Sequence, residues 1–84
     1  MKIEVIETSD KKVGITLFGN VLEALKACGL NGKVFMVNDI KTIFKYGVKA
    51  APALVINGMV MFAGKSLPTK EIIKVLQQSL KSFT

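Results

Sequence analysis

The run Tyr46-Gly47-Val48-Lys49-Ala50-Ala51-Pro52-Ala53-Leu54-Val55-Ile56-Asn57-Gly58-Met59-Val60 leaves this chain few ways to fold. Gly47 reads as the left-handed residue just past a helix end, a conformation that costs glycine nothing. Pro52 disfavours helical geometry at the residue before it, so Val48-Lys49-Ala50-Ala51 runs extended into the proline. Ala53-Leu54-Val55-Ile56 is a short apolar run, and Asn57-Gly58 is the strongest two-residue hairpin signal. Met59-Val60-Met61-Phe62 is the returning strand. Pro52 stands at the first position of its strand, where a missing N–H does little harm. A helix stop, a proline turn and a hairpin thus follow one another directly.

The remaining segments fall into place around this run. Lys2-Ile3-Glu4-Val5-Ile6-Glu7 alternates, with Ile3 and Val5 on one face and Lys2, Glu4 and Ile6 on the other, which predicts a strand covered at least partly on both sides. Thr8 to Gly14 reads as a polar loop. Thr16 to Cys28 reads as a helix whose stripe is Leu17, Val21, Ala24 and Cys28, with Phe18, Leu22 and Leu25 beside it. Gly29 stops it. Gly19 lies inside it and suggests close packing or a bend. Asn31-Gly32 turns into a second strand, Lys33–Val37. Asn38 or Asp39 caps a short helix in which Ile40, Ile43 and Phe44 are expected to face inward. After the hairpin, Gly64 ends the fourth strand. Thr69 is placed to cap a last amphipathic helix carrying Ile72, Ile73, Leu76, Leu80 and Phe83, with Glu71 in its first turn and Lys70, Lys74, Gln77, Gln78 and Lys81 outward.

The order is β-α-β-α-β-β-α, in one α/β domain over residues 1–84. Strands joined through a helix should be parallel with a right-handed crossover, and the hairpin adds an antiparallel pair. A four-stranded mixed sheet flanked by helices follows from that pattern.

The segment Tyr46-Gly47-Val48 followed by Pro52-Ala53-Leu54-Val55-Ile56-Asn57-Gly58 resembles the small single-domain thioredoxin-like proteins, often called redox-active disulfide proteins. The resemblance runs from Met1-Lys2-Ile3-Glu4 to Pro68-Thr69-Lys70-Glu71-Ile72. It implies a thioredoxin-like fold, a cis proline at Pro52, and a substrate groove lined by Ala51, with Ala50 and Pro52 beside it. In that family the backbone before the proline pairs with an extended peptide, in the manner of strand addition. The family's chemistry sits in the first strand-to-helix loop, where a thiolate is stabilised at a helix N-terminus and a second cysteine three residues on resolves the mixed disulfide. Counted from Met1, those cysteine positions fall on Asp10 and Val13; counted back from Gly29, on Lys11 and Gly14. Neither register supplies a thiol, so the loop Ser9-Asp10-Lys11-Lys12-Val13-Gly14 is a degenerate active-site loop.

The chain has one cysteine, Cys28, and no histidine. No intramolecular disulfide can form, the commonest general base is missing, and no cofactor or zinc or iron–sulfur site is expected. Cys28 lies on the apolar stripe and reads as a buried small hydrophobe, at the opposite end of its helix from the amide-rich terminus that favours a thiolate. The alternative is a monothiol oxidoreductase acting through Cys28. Ser9, Asp10, Lys11 and Lys12 read as a solvated turn, with helix-start amides offering weak attraction to an anion. Met59 and Met61 alternate onto one face of the edge strand, which makes a structural homodimer a second alternative.

The net charge of +6 comes from 12 lysines with no arginine. Arginine is the residue that reads guanine and grips phosphate bidentately, and the lysines are scattered, so a solvated surface is favoured over a nucleic-acid face. No apolar run approaches the roughly 20 residues of a membrane helix, and no leader opens the chain, which points to a cytoplasmic protein without membrane insertion. The function read from the sequence is a redox-inactive thioredoxin-like module that binds a peptide segment or partner protein beside Pro52.

Overall fold

The computed structural model describes residues 1–7 and 11–82. The elements are β1 (Lys2–Ile6), α1 (Lys11–Cys28), β2 (Lys33–Val37), α2 (Ile40–Tyr46), β3 (Ala53–Ile56), β4 (Met59–Ala63) and α3 (Thr69–Ser82). They form a four-stranded sheet in the order β2-β1-β3-β4. β1 is parallel to β2 and antiparallel to β3, and β3 and β4 form the hairpin. The mixed sheet predicted from the element order is present, with three helices packed on it.

The two faces of β1 lead into two cores. Ile3 and Val5 join Leu54 and Ile56 under α1 and α3, with Leu17, Val21, Ala24, Leu25, Ile72 and Leu76 completing the main core. On the opposite face Ile6, Ala53 and Val55 form a smaller core, against which Ile43, Tyr46 and Val48 from α2 and the segment after it pack. Asn57 and Gly58 both carry positive φ, 49° and 85°, as a tight hairpin of the Asn-Gly type requires. Gly47 adopts the left-handed conformation and donates to the Ile43 and Phe44 carbonyls, ending α2 as expected.

Four expectations change. First, α1 begins at Lys11 rather than Thr16, so Lys11, Lys12, Val13 and Gly14 form its first turn instead of a loop. Gly14 is buried, and a Cβ there would lie 2.7 Å from the Glu7 Cβ. This glycine lets the helix start close against the end of β1. Second, α2 turns Ile43 and Tyr46 inward, leaving Ile40 70% and Phe44 81% exposed. At roughly 100° per residue, Phe44 lies on the far side of Ile43 from Tyr46, so both cannot point at the sheet. Third, Thr69 is the first residue of α3, and its hydroxyl donates to Glu23 Oε2 on α1 at 3.0 Å. Fourth, Leu80 is 38% exposed, and the deep positions of α3 are Ile72, Leu76 and Ser79. Phe83 lies outside the described residues.

Gly14 and Gly19 make a discriminating pair. Nothing lies within 4 Å of a Cβ built on Gly19, so close packing does not explain that glycine. Gly19→Ala is expected to stabilise the protein by roughly 0.5–1 kcal/mol through helix propensity alone. Gly14→Ala, which must push Glu7 aside, is expected to cost about 1–3 kcal/mol. Thermal unfolding of the two variants beside the parent checks both signs.

Candidate functional site

The register Ile6↔Ala53 brings the end of β1 to the start of β3. The first turn of α1 and the Ala50-Ala51-Pro52 segment therefore share one end of the sheet. Gly14 packs on Glu7 at that end, and Glu7 donates its backbone N–H to the Val37 carbonyl at 3.0 Å. The Asn38 Nδ2 donates to Glu7 Oε1 at 3.3 Å. The Ala51–Pro52 peptide bond is cis. Pro52 is buried and its carbonyl accepts the Gly64 N–H at 2.9 Å, which ties the proline to the end of the hairpin. Ala51 is half-buried on the smaller core, whereas Ala50 is exposed with its Cβ region close to Gly64.

An apolar margin adjoins this segment. Ile43, Phe44, Gly47, Val48 and Lys49 line a recess of about 160 Å³ just before Ala50 in the chain. Phe44 stands largely in solvent at its rim, and Ile40 continues the exposed stripe one turn earlier on α2. The α2 N-terminus is capped by Asp39, whose carboxylate accepts from the Thr42 N–H at 3.2 Å and the Thr42 hydroxyl at 2.8 Å. The bond from the Thr42 side chain, foremost, holds the Asp39 carboxyl below its ordinary range.

Beneath this end lies a buried carboxylate that sequence reading left unused. Glu4 is 5% exposed in the central strand, and the Tyr46 hydroxyl from α2 donates to its Oε1. That hydrogen bond, with burial and the carboxylate's charge adding to it, raises the Tyr46 phenol above its ordinary range. An acid in the middle of a strand otherwise buried on both sides was the available signal. The partner was not, because 42 residues separate the two in the chain.

Of the predicted site residues, Ala50, Ala51, Pro52, Val13 and Gly14 come to one end of the sheet, with Lys11 and Lys12 exposed at the start of α1. Ser9 and Asp10 lie outside the described residues. Cys28 does not join them. It is the last residue of α1, about 25 Å along the helix axis from Lys11 at a rise of roughly 1.5 Å per residue. It is also half-buried rather than buried, packing at the margin of the main core on the last residue of α1. Met59 and Met61 separate in role. A bulge between Leu54 and Val55 makes Met61 an extra residue in β4, and Met61 packs on the main core, with its sulfur 3.8 Å from the donating Ser79 hydroxyl. Met59 is 53% exposed. No group of His, Cys, Asp and Glu among the described residues could hold a metal ion, and no helix among them is long and apolar enough to cross a membrane.

A mixed four-stranded sheet flanked by three helices in this order is a thioredoxin-like α/β fold. The family model described as Thioredoxin domain matches residues 1–77, and the chain belongs to that family. Among solved structures, thioredoxin 1 from the thermophilic eubacterium Thermosipho africanus TCF52B is similar, with a TM-score of 0.66 at 19% identity over 96% of this chain and 96% of that one. At that identity the likeness speaks for the fold. No curated protein matches the sequence.

Tyr46 is the chain's one tyrosine and tryptophan is absent, so the phenol can be titrated by absorbance without overlap. It is expected to ionise above the ordinary value of about 10. Because the folded-state value is the higher one, the bond's stabilisation is complete below about pH 10 and is lost as pH rises past it. Tyr46→Phe should cost about 1.5 kcal/mol at pH 7, the low end for a hydrogen bond to a charged group. In urea unfolding, the gap between parent and variant should narrow above pH 10.

Proposed function

We propose that this thioredoxin domain binds an extended peptide segment at Ala50-Ala51-Pro52 and performs no dithiol exchange. The observation that carries the reading is the apolar margin beside the proline segment. Phe44 is 81% exposed and lines a recess whose last lining residue, Lys49, immediately precedes Ala50 in the chain. Strand addition needs backbone partners and a pocket for alternate side chains, and neither requires a thiol. The single cysteine can form no internal disulfide, and it lies at the far end of α1. The exposed lysines Lys41, Lys45 and Lys49 around the same margin favour an acidic segment.

A permanently unfolded probe without free thiols, carboxymethylated lactalbumin, tests this by amide chemical-shift titration. Shifts are expected at Phe44 and Val48 to Ala51. Phe44→Asp, at a position that supports no core, should weaken binding by about tenfold, as should Ala50→Trp. Shifts confined to other surfaces, or variants that bind as the parent does, would sink the proposal. In a dithiothreitol-driven insulin reduction assay, the parent should be no faster than Cys28→Ser.

The half-buried Cys28 gives a monothiol reading its one supporting observation. Labelling with a thiol reagent separates the two. A rate at least about tenfold below that of the denatured chain is expected for a thiol that reacts through local opening, and labelling as fast as in the denatured chain would favour monothiol chemistry.

A further inference from the structure

The outer ridge of α1 carries a glycine that the fold does not explain. Ile15, Gly19 and Leu22 follow one another at spacings of four and three. They therefore lie within roughly 60° of one another, on the side of the helix away from Leu17, Val21 and Ala24. Ile15 is 62% and Leu22 48% exposed, although both are large aliphatic side chains. Between them, nothing lies within 4 Å of a Cβ built on Gly19. A glycine in a helix interior weakens the helix, and no packing contact among the described residues offsets that cost. Two exposed aliphatic groups with a notch between them suit a second helix, whose backbone comes close at the low point while its side chains pack on either side.

Charge selects the occupant. One turn further along the same ridge lie Lys11 and Lys12 before Ile15, and Lys26 after Leu22. Glu23, the one acid in α1, keeps its charge. It stands about 100° round the helix from Leu22, on the side where α3 packs and the Thr69 hydroxyl donates to it. Glu7 lies against Gly14, on the buried side of the first turn. Counting Asp10, the segment 10–28 holds three lysines against two acids, and the whole chain stands at +6. A second copy of this chain fits poorly. An antiparallel crossing at Gly19 sets Lys26 of one copy beside Lys11 and Lys12 of the other, and like charges so placed are costly. A helix whose apolar stripe is flanked by carboxylates matches both the ridge and its charge.

We propose that the Ile15-Gly19-Leu22 ridge is a docking site for an acidic amphipathic helix of a partner protein, independent of the proline segment. The partner's apolar stripe lies over Gly19 between Ile15 and Leu22, and its carboxylates meet the lysines at either end.

The probe is a capped peptide of about 15 residues, long enough to populate a helix, with leucines spaced by four and three and glutamates between them on an alanine background. It is titrated into the isotope-labelled protein beside two counterparts, one with lysine for glutamate and one with glutamine for leucine. Saturable amide shifts are expected at Ile15, Gly19 and Leu22, with affinity at least about tenfold above that for either counterpart. Gly19→Leu, which fills the notch, and Ile15→Asp should each lose about tenfold. Gly19→Leu raises helix propensity at a position with open space around it, so unfolding does not account for its loss. Phe44→Asp makes the same change in net charge as Ile15→Asp, but on α2, across the sheet from α1. It should bind the peptide as the parent does, which keeps this test separate from that of the proline segment. Equal affinity for the three peptides, shifts centred on Phe44 and Val48, unchanged binding by Gly19→Leu, or a dimer of the free protein that Gly19→Leu disperses would overturn the proposal.

Discussion

The structure depends on β1 being hydrogen-bonded on both sides, parallel to β2 and antiparallel to β3. A parallel neighbour demands a long crossover, and α1, at 18 residues, supplies it. An antiparallel neighbour can be reached by a shorter return, and α2 with the segment through Pro52 makes it. The same strand must then be apolar on both faces. Ile3 and Val5 fill one core and Ile6 anchors the other, all fully buried. Glu4 is the exception, and its burial is tolerable because the Tyr46 hydroxyl satisfies it. That bond pins α2 to the sheet in a helix too short to be stable alone, and so fixes where the chain emerges toward Ala50.

Much of this was legible from local chemistry. The Gly47 stop, the Asn57-Gly58 hairpin and the limits of β2 and β3 needed only residue types and spacing, because each is a short-range constraint. The candidate segment at Ala50-Ala51-Pro52 came instead from the family resemblance that the same run carries. What misled was context. Two lysines and a glycine at Lys11, Lys12 and Gly14 look like a loop until Glu7 is placed against Gly14. Ile40 and Phe44 have helical core spacing, but a seven-residue helix has one inward direction, and Ile43 with Tyr46 take it. The bulge that sends Met61 onto the core is set by pairing with β3 and leaves no mark on the alternation of β4.

Charge is distributed with the same economy. A surplus of lysine over acid leaves cations without carboxylate partners, and the few acids are drawn into capping, helix–helix and strand–helix contacts. None of those contacts lies at the start of β1 and β2. The end of the sheet away from Pro52 carries Lys2 and Lys33 as register partners, while at the other end α2 leaves Phe44 in solvent before the chain reaches Ala50. The two ends differ in chemistry although one sheet builds both.

That separation bears on how a thioredoxin domain can lack a cysteine pair and retain its architecture. Nothing that shapes the proline end passes through a thiol. Gly64 holds the Pro52 carbonyl, Gly14 seats α1 on Glu7, and the smaller core supports Ala51 from below. These are steric and backbone constraints, and none of them requires a thiol. A disulfide at that turn would close a loop of only a few residues, so its entropic contribution would sit at the small end of the range. The dithiol is thus chemically decisive for exchange and structurally dispensable for the end of the sheet around Pro52, where packing and backbone hydrogen bonds alone hold the chain.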